Sequence, residues 1–284
     1  MKITYKLFIF SSLLLFILTN ASLSQQIRMP VPSPSATFEQ RVGLTDITLN
    51  YSRPGVKGRT IFGDIVPYDK LWRTGANMAT KITFSDDVKI EGKELKAGSY
   101  ALFTIPGKDT WTILFNSNDN QGGTGQYKES EDVLRVSVTS EKMDEKIETF
   151  TIDINDITDT GARLWILWEN TAVPVGIEVD VDEKVMADIQ RALDPASGAG
   201  NYFAAASYYY NTDRDMEQAL NWINKSIELG NKQFWVVHLK ANILKKKGDC
   251  PAAIQAAEES KSMAKEAGND DYIALNDKLI ASCR

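Results

Sequence analysis

The sequence predicts an all-β antiparallel domain of the sandwich or jelly-roll kind, followed by an all-α domain of tetratricopeptide-like helical repeats. Up to about residue 180, short runs alternate apolar and polar residues with a period of two, as half-buried strands do. After residue 180 the period becomes helical, and a 34-residue repeat appears. A chain of 284 residues is long enough for two domains, which we place at 37–180 and 181–284.

Five runs show the strand pattern of the first domain. Their apolar positions are Ile47, Leu49 and Tyr51; Trp111, Ile113 and Phe115; Leu134, Val136 and Val138; Phe150, Ile152 and Ile154; and Val173, Val175, Ile177 and Val179. The segment "IEGKEL" (90–95) predicts a hairpin with Gly92 and Lys93 at its tip. The segment "ARLWILWEN" (162–170) is apolar on both faces, which predicts a strand between two layers.

The second domain carries the repeat. "DMEQALNWINKS" (215–226) and "DCPAAIQAAEES" (249–260) align at a spacing of 34, which pairs Ser226 with Ser260. Small or apolar residues recur where two helices must pack closely, so this tail resembles tetratricopeptide repeats; an unrelated helical bundle is the alternative. Helices are predicted at 182–193, 199–211, 215–229, 233–247, 250–267 and 270–282, the last as a terminal cap.

The first 24 residues predict export. Lys2 and Lys6 precede an apolar run at 7–18, and the small residues Ser22 and Ser24 suit a cleavage site. The run is shorter than the roughly 20 residues of a membrane span, so we expect no stable span after signal cleavage, and a periplasmic or extracellular location. Cleavage would remove two lysines and change the formal charge from −6 to −8. An acidic chain without a basic face argues against nucleic-acid binding.

Residues 25–36 form a Pro-rich leader before the β domain. At the other end of the chain, Cys250 opens one predicted helix and Cys283 ends the next, with the turn at Gly268 midway between them. Residues equidistant from the turn of an antiparallel helix pair face one another. We therefore expect a Cys250–Cys283 disulfide in an exported protein, with two free thiols as the alternative.

The β domain offers little for catalysis. The sole histidine is His238, and both cysteines lie in the helical domain, so Ser-His and Cys-His nucleophiles and the usual zinc and iron ligand sets are excluded. Two oxygen-rich loops, 116–123 and 153–161, lack the spacing of a calcium loop and are interpreted as turns. We predict no metal, no cofactor and no catalytic residue.

The segment "YSRPGVKGRTIFG" (51–63) is rich in arginine and glycine, yet it lacks the ending of a P-loop. In a structural interpretation it is a stiff crossover loop whose arginines bond internal carboxylates or carbonyls. In a functional interpretation the guanidinium groups converge with an amide on a small acidic or glycan ligand. The candidate residues are Arg53, Arg59, Arg73 and Asn77.

Five motifs together carry a family resemblance. They are "YSRPGVKGRTIFG", "LWRTGAN", "AGSYALFTIPG", "WTILFN" and "LWILWEN", in this order. They closely resemble the bacterial exported domain-of-unknown-function family 2911 over about residues 28–180. The resemblance implies a signal peptide and, in some members, a helical repeat tail. It implies no activity, ligand or site residues.

The helical domain has its own candidate site. In tetratricopeptide arrays the first helix of each repeat lines a concave groove through positions 2, 5, 9 and 12. Here these are Asn201, Ala204, Tyr208 and Asn211, then Trp235, His238, Asn242 and Lys245. Aromatic rings, amides and a cation can bind an extended peptide or its carboxylate. Packing of Tyr208 and Trp235 at the domain junction is the alternative.

The favoured function is therefore an exported, non-enzymatic binding or scaffold protein. Its β domain would bind an unknown ligand or partner, and its helical repeats would bind a protein or peptide. One alternative is a hydrolase acting on an envelope or extracellular glycan through two carboxylates about 5 to 10 Å apart, beside exposed aromatics. Its candidates are Asp64, Asp69, Glu131 and Glu169 with Tyr68, Trp72 or Trp111. Another alternative is a structural component of an envelope assembly.

Overall fold

A computed structural model describes residues 29–194 and 197–284. The predicted signal peptide lies outside these ranges. The chain divides into two compact units between Glu178 and Val179. Across the described ranges, no helix combines the length and apolar character that a membrane crossing requires. The predicted order of an antiparallel β-fold followed by helices is confirmed.

The β unit contains two sheets. Its strands are β1 (Ser35–Val42), β2 (Thr45–Ser52), β3 (Thr80–Phe84), β4 (Val88–Ile90), β5 (Lys93–Leu95), β6 (Gly98–Ile105), β7 (Thr110–Asn116), β8 (Asp132–Thr139), β9 (Glu141–Asn155) and β10 (Gly161–Val179). One sheet has the antiparallel order β1-β2-β3-β6-β7-β8. The other has the order β5-β4-β10-β9, in which β4 with β5 and β9 with β10 pair antiparallel.

Side chains from both sheets meet in the core. The ring of Tyr51 from β2 lies edge-on to that of Phe150 from β9, with centroids 5.9 Å apart. The Tyr51 hydroxyl also donates a hydrogen bond to the carbonyl of Ile152 at 3.0 Å. Alternation explains the placement: Ile47 and Leu49 on β2 are fully buried, while Thr48 between them is only half-buried.

Three details differ from the predictions. The 90–95 hairpin turns at Glu91 and Gly92, one residue earlier than expected, because both adopt the positive φ that a two-residue hairpin turn requires (49° and 74°). The 162–170 segment buries Ala162, Leu164, Ile166 and Trp168 on one face, whereas Trp165 and Leu167 on the other face are half-buried. Strand β1 begins at Ser35, within the predicted leader.

The second unit contains six helices among the residues that the structure describes. They are α1 (Asp182–Ala192), α2 (Ala199–Asn211), α3 (Met216–Glu228), α4 (Phe234–Lys246), α5 (Cys250–Glu266) and α6 (Asp270–Ser282). Each boundary lies within one residue of its prediction. The carboxylates of Asp215 and Asp249, 34 residues apart, cap the N-termini of α3 and α5 by accepting backbone N–H bonds.

The 34-residue spacing recurs in the packing. Ala219 on α3 and Ala253 on α5 are both fully buried. The Ser226 hydroxyl donates to the carbonyl of Ala199 at 2.7 Å, and the Ser260 hydroxyl donates to that of Phe234 at the same distance. In both pairs the acceptor is the first residue of the preceding helix, so the two helix pairs pack in the same way.

Helix α6 covers the last pair. Leu279 and Ile280 are buried in the cluster that contains Val237 and Ala241 of α4. At the open end of the α5–α6 hairpin, Cys250 and Cys283 lie at disulfide distance and are joined, with Cα atoms 5.3 Å apart. Cys250 and Cys283 are the pair that their equal distances from the turn predict.

Candidate functional site

The arginine-rich loop joins the two sheets of the β unit. Gly55 forms an antiparallel bridge with Thr149. On either side, the Val56 amide donates to the carbonyl of Glu148 at 2.8 Å, and the Phe150 amide donates to that of Pro54 at 2.9 Å. The loop therefore extends the hydrogen-bonding of β9 beyond its own sheet.

Three of the four predicted ligand residues have internal partners. Arg53 donates from Nε to the carbonyl of Phe150 (3.1 Å) and from Nη2 to Thr151 Oγ1 (2.9 Å). Arg59 donates to the carbonyls of Val56 and Gly55, within its own loop. These bonds are to carbonyls and a hydroxyl, so the two guanidinium groups hold backbone in place, in agreement with the structural interpretation.

Asn77 holds the N-terminal segment. Its Nδ2 donates at 3.2 Å to both the carbonyl of Ser33 and the hydroxyl of Ser52. The amide of Arg53 in turn donates to the carbonyl of Pro34 at 2.9 Å. The end of the Pro-rich leader is thus bound by family-motif residues, and Asn77 is engaged in this contact.

Arg73, the fourth predicted ligand residue, differs from the other three. Its side chain forms no hydrogen bond or ion pair with any residue in 29–194 or 197–284, and its Nε is buried without an acceptor. Its backbone is fixed, because the Thr80 amide donates to the Arg73 carbonyl at 3.2 Å. The four predicted residues therefore do not act as one group, and Arg73 alone keeps an uncompensated charge.

The motif aromatics form the core of the β unit. Trp72 and Trp168 stack with centroids 5.9 Å apart and planes at 14°, and Phe62, Trp111 and Phe150 pack edge-on around them. Only 8% of Trp72 and 1% of Trp111 are exposed. Neither ring can stack on a sugar, as the hydrolase alternative requires.

The remaining residues of that alternative are either engaged with other residues or exposed. Tyr68 is half-buried and packs against Gly63, where an added Cβ would meet its ring at 2.8 Å. Glu131 pairs with Lys128 at 3.1 Å. Glu169 lies 3.9 Å from Lys146. Asp64 and Asp69 are exposed.

A half-buried polar cluster, which the sequence did not predict, lies at the start of β8. The Tyr127 hydroxyl donates to Asp132 Oδ2 at 2.6 Å, and Arg135 donates to both groups at 2.7 Å. Burial, followed by the hydrogen bond to Asp132, raises the pKa of Tyr127 to about 12. Tyr127 is therefore neutral near pH 7 and acts as a fixed donor that secures the loop before β8.

Side chains of the oxygen-rich 116–123 loop bond within the loop and to its flanks, although Gln121 Oε1 is buried without a donor among the described residues. Gln121 donates from Nε2 to Asn116 Oδ1 at 2.8 Å and to the carbonyl of Asn118 at 2.7 Å. Nowhere in the described ranges do three or more His, Cys, Asp or Glu side chains gather as a metal site would need. The bonds within 116–123 are those of a turn.

On α2, three of the predicted groove residues, Asn201, Ala204 and Asn211, are exposed. Tyr208 is half-buried and donates to Asp182 Oδ1 of α1 at 2.6 Å. Arg214 also pairs with Asp182 and lies over the Tyr208 ring. Burial and the bond to Asp182 raise the pKa of Tyr208 to about 12. Tyr208 therefore attaches α1 to α2.

The four predicted groove residues on α4 are of two kinds: two form hydrogen bonds within the chain, and two are exposed. His238 Nδ1 lies 2.7 Å from Asn276 Oδ1 of α6, and Asn242 donates to the His238 carbonyl at 3.0 Å. Trp235 is 39% exposed, although its ring touches that of Phe234. Lys245 is exposed and unpaired within the described chain. Of these four predicted residues, Trp235 and Lys245 are thus the exposed ones.

These observations define the class of protein: a two-sheet antiparallel β unit with an aromatic core and no histidine or cysteine, followed by a unit of packed helix pairs. Residues 33–177 match the family described as "Protein of unknown function (DUF2911)", and the chain belongs to that family. No curated protein and no solved structure matches the chain.

Proposed function

We propose that this protein is exported and acts as a non-enzymatic binding or scaffold protein. Its β unit binds a ligand, and its helical unit binds a protein partner as a short tetratricopeptide-like array. Export is supported by the signal-peptide pattern of residues 1–24. A repeat array is supported by the serine-to-carbonyl bonds that recur in successive helix pairs at a spacing of 34 residues.

The proposed docking role rests on two exposed residues of α4, Trp235 and Lys245. Trp235 exposes a large aromatic surface, and Lys245 leaves a cation unpaired on the same helix. Ten residues of α-helix separate them by about 15 Å, the length of about four or five residues of extended chain. An extended peptide with an apolar side chain at one end and an acidic group at the other fits this spacing.

Helix α2 also has exposed residues at its predicted groove positions. Asn211 offers a side-chain amide, and the small Ala204 leaves room for a peptide backbone, whereas Asn201 Nδ2 already donates to the carbonyl of Ala192 at 3.4 Å. Tyr208, His238 and Asn242 support the surface from within, since their polar atoms bond α1, α6 and the α4 backbone. We assign these three residues to positioning rather than to direct contact.

Affinity capture from envelope extracts of the native host tests this role. We compare the wild-type protein with a Trp235→Ala, Lys245→Ala double variant. The matched control is Gln255→Ala, Glu259→Ala, two exposed residues of α5. We expect the α4 variant to lose at least about tenfold of a specific partner, which is 1.4 kcal/mol, and the α5 variant to retain it. Equal recovery with both variants would reject the α4 face as the docking surface.

A further inference from the structure

The "LWRTGAN" turn holds one residue whose chemistry the fold does not use. In this turn Trp72 donates from its indole nitrogen to the carbonyl of Gly75 at 3.1 Å. Thr74 lies 3.1 Å from Thr104 through their hydroxyl oxygens, and Asn77 binds Ser33 and Ser52. Each of these side chains has an internal partner. Arg73 has none among the described residues.

The turn is also strained in a way that fixes the position of Arg73. Thr74 has φ 53° and is fully buried, although a β-branched residue strongly disfavours the left-handed region. Gly75 follows with φ 148°, and an added Cβ there would approach the Ser52 carbonyl at 3.1 Å. Strained backbone persists only where the surrounding structure over-determines it, and such positions cluster at binding sites.

Electrostatics gives the class of ligand. Taking a guanidinium partly out of water without a counter-ion is unfavourable, and a buried N–H without an acceptor adds to that cost. Arg53 and Arg59 cannot share the charge of a ligand at Arg73, because their donors hold carbonyls and a hydroxyl elsewhere. One uncompensated positive charge matches a ligand group with one negative charge.

We propose that Arg73 is the anion-binding residue of the β unit and that it binds the carboxylate of a small acidic ligand. The Arg73 Nε is closed to solvent, whereas the terminal nitrogens of this half-buried side chain remain accessible. The carboxylate therefore approaches end-on, and the two Nη groups each donate one hydrogen bond in the planar fork geometry. This inference rests on the ligand-binding role proposed for the β unit and is independent of docking by α4.

Titration with sodium acetate tests the proposal, with sodium chloride adjusted to hold the ionic strength constant. In ¹H–¹⁵N spectra of the full chain, the side-chain N–H signal of Arg73 should shift and saturate. Those of Arg53 and Arg59 should stay in place. A linear shift without saturation, or equal shifts of all arginine signals, would overturn the proposal. A parallel titration with inorganic phosphate should bind at least tenfold more weakly; tighter phosphate binding would overturn the carboxylate assignment.

Variants complete the test. Arg73→Gln should abolish the saturable rise in Tm that acetate gives the wild type, and Arg73→Lys should reduce it, since an ammonium lacks the fork. Arg163→Gln, at an exposed arginine of β10, is the control that should retain it. Retention of the rise in Arg73→Gln would reject the site. Capture through α4 should be unchanged in Arg73→Gln, so failure here is distinguishable from failure of the docking role.

Discussion

The hydroxyl of Ser226 donates a hydrogen bond to the carbonyl of Ala199 at 2.7 Å, which ties α3 to the first residue of α2. Ser260 and Phe234 repeat this relationship between α5 and α4, 34 residues later. Both serines also accept a side-chain amide hydrogen bond, from Asn231 and Asn276 respectively. Each of these buried hydroxyl groups therefore donates one hydrogen bond and accepts another.

Removal of either hydroxyl should destabilise the helical unit. Ser226→Ala removes the acceptor of the half-buried Asn231 amide, and Ser260→Ala removes one of the two acceptors of the buried Asn276 amide. Each also leaves a helix-initial carbonyl without its donor, so we expect each to lower the free energy of unfolding by about 1 to 3 kcal/mol. Urea unfolding measures the loss. Ser262→Ala, at an exposed position of α5, is the matched control and should change it by less than about 0.5 kcal/mol. Equal effects at positions 260 and 262 would contradict the repeated packing.

The Cys250–Cys283 bond should stabilise α6. The two residues are 33 apart in sequence, and a loop of this length corresponds to about 2 to 4 kcal/mol. We expect the unfolding midpoint of the purified, oxidised protein to fall on reduction, and the Cys250→Ser, Cys283→Ser variant to match the reduced protein. Two thiols that react with a thiol reagent in the unreduced, unfolded protein would show that the bond does not form.

We expect the stacked rings of Trp72 and Trp168 to stabilise the β unit. Trp72→Ala removes a buried ring that contacts four other aromatic rings, so we expect a loss of about 3 to 5 kcal/mol in unfolding free energy. Trp165→Ala is the comparison, because that ring is half-buried on the outer face of β10 and should cost clearly less. Chemical denaturation of both variants measures the two losses in unfolding free energy. A fully stable Trp72→Ala protein would show that this ring is not part of the core.

The contact of Asp182 with Tyr208 should be visible in the acid titration of the protein. The hydrogen bond from Tyr208, followed by that from Arg214, lowers the pKa of Asp182 below its ordinary value of 3.8. Its contribution to stability is therefore present above pH 3.8 and is lost as the pH falls through the lowered pKa. Tyr208→Phe should raise the pKa of Asp182.

The ¹³C signal of the Asp182 carboxyl group measures this pKa directly. Tyr202→Phe is the control on the same helix, because Tyr202 donates instead to the Asp194 carbonyl. The pKa of Asp182 should be the same in this control as in the wild type. An unchanged pKa in Tyr208→Phe would show that Tyr208 does not attach α1 to α2 in solution.

Periodicity predicted the sheets and helices well, for a physical reason. Phe150, Ile152 and Ile154 are buried because alternate residues of β9 face the opposite sheet, and that period is visible in the sequence. The Cys250–Cys283 pairing could be predicted in the same way, because the turn at Gly268 sets which residues of the hairpin meet. Strand β1 was hard to predict from the sequence, because Val42 is its one buried residue and the strand lacks a buried apolar face.

Site chemistry was harder to predict, because hydrogen-bond partners come from distant parts of the chain. Arg53 and Arg73 looked equivalent in sequence. Strand β9, nearly 100 residues away, supplies acceptors for Arg53, whereas Arg73 has no partner in the described residues. Tyr127, Asp132 and Arg135 likewise show no spacing that predicts their cluster.

Site-specific photocrosslinking in the native host tests the central claim, that the α4 face docks a protein, most directly. Benzoylphenylalanine replaces Trp235 on α4 in one strain and Gln255 on α5 in the other. We predict a discrete crosslinked product from position 235, which disappears when Lys245→Glu is added, and none from position 255. The absence of a product at position 235, or the same product from both positions, would contradict the claim.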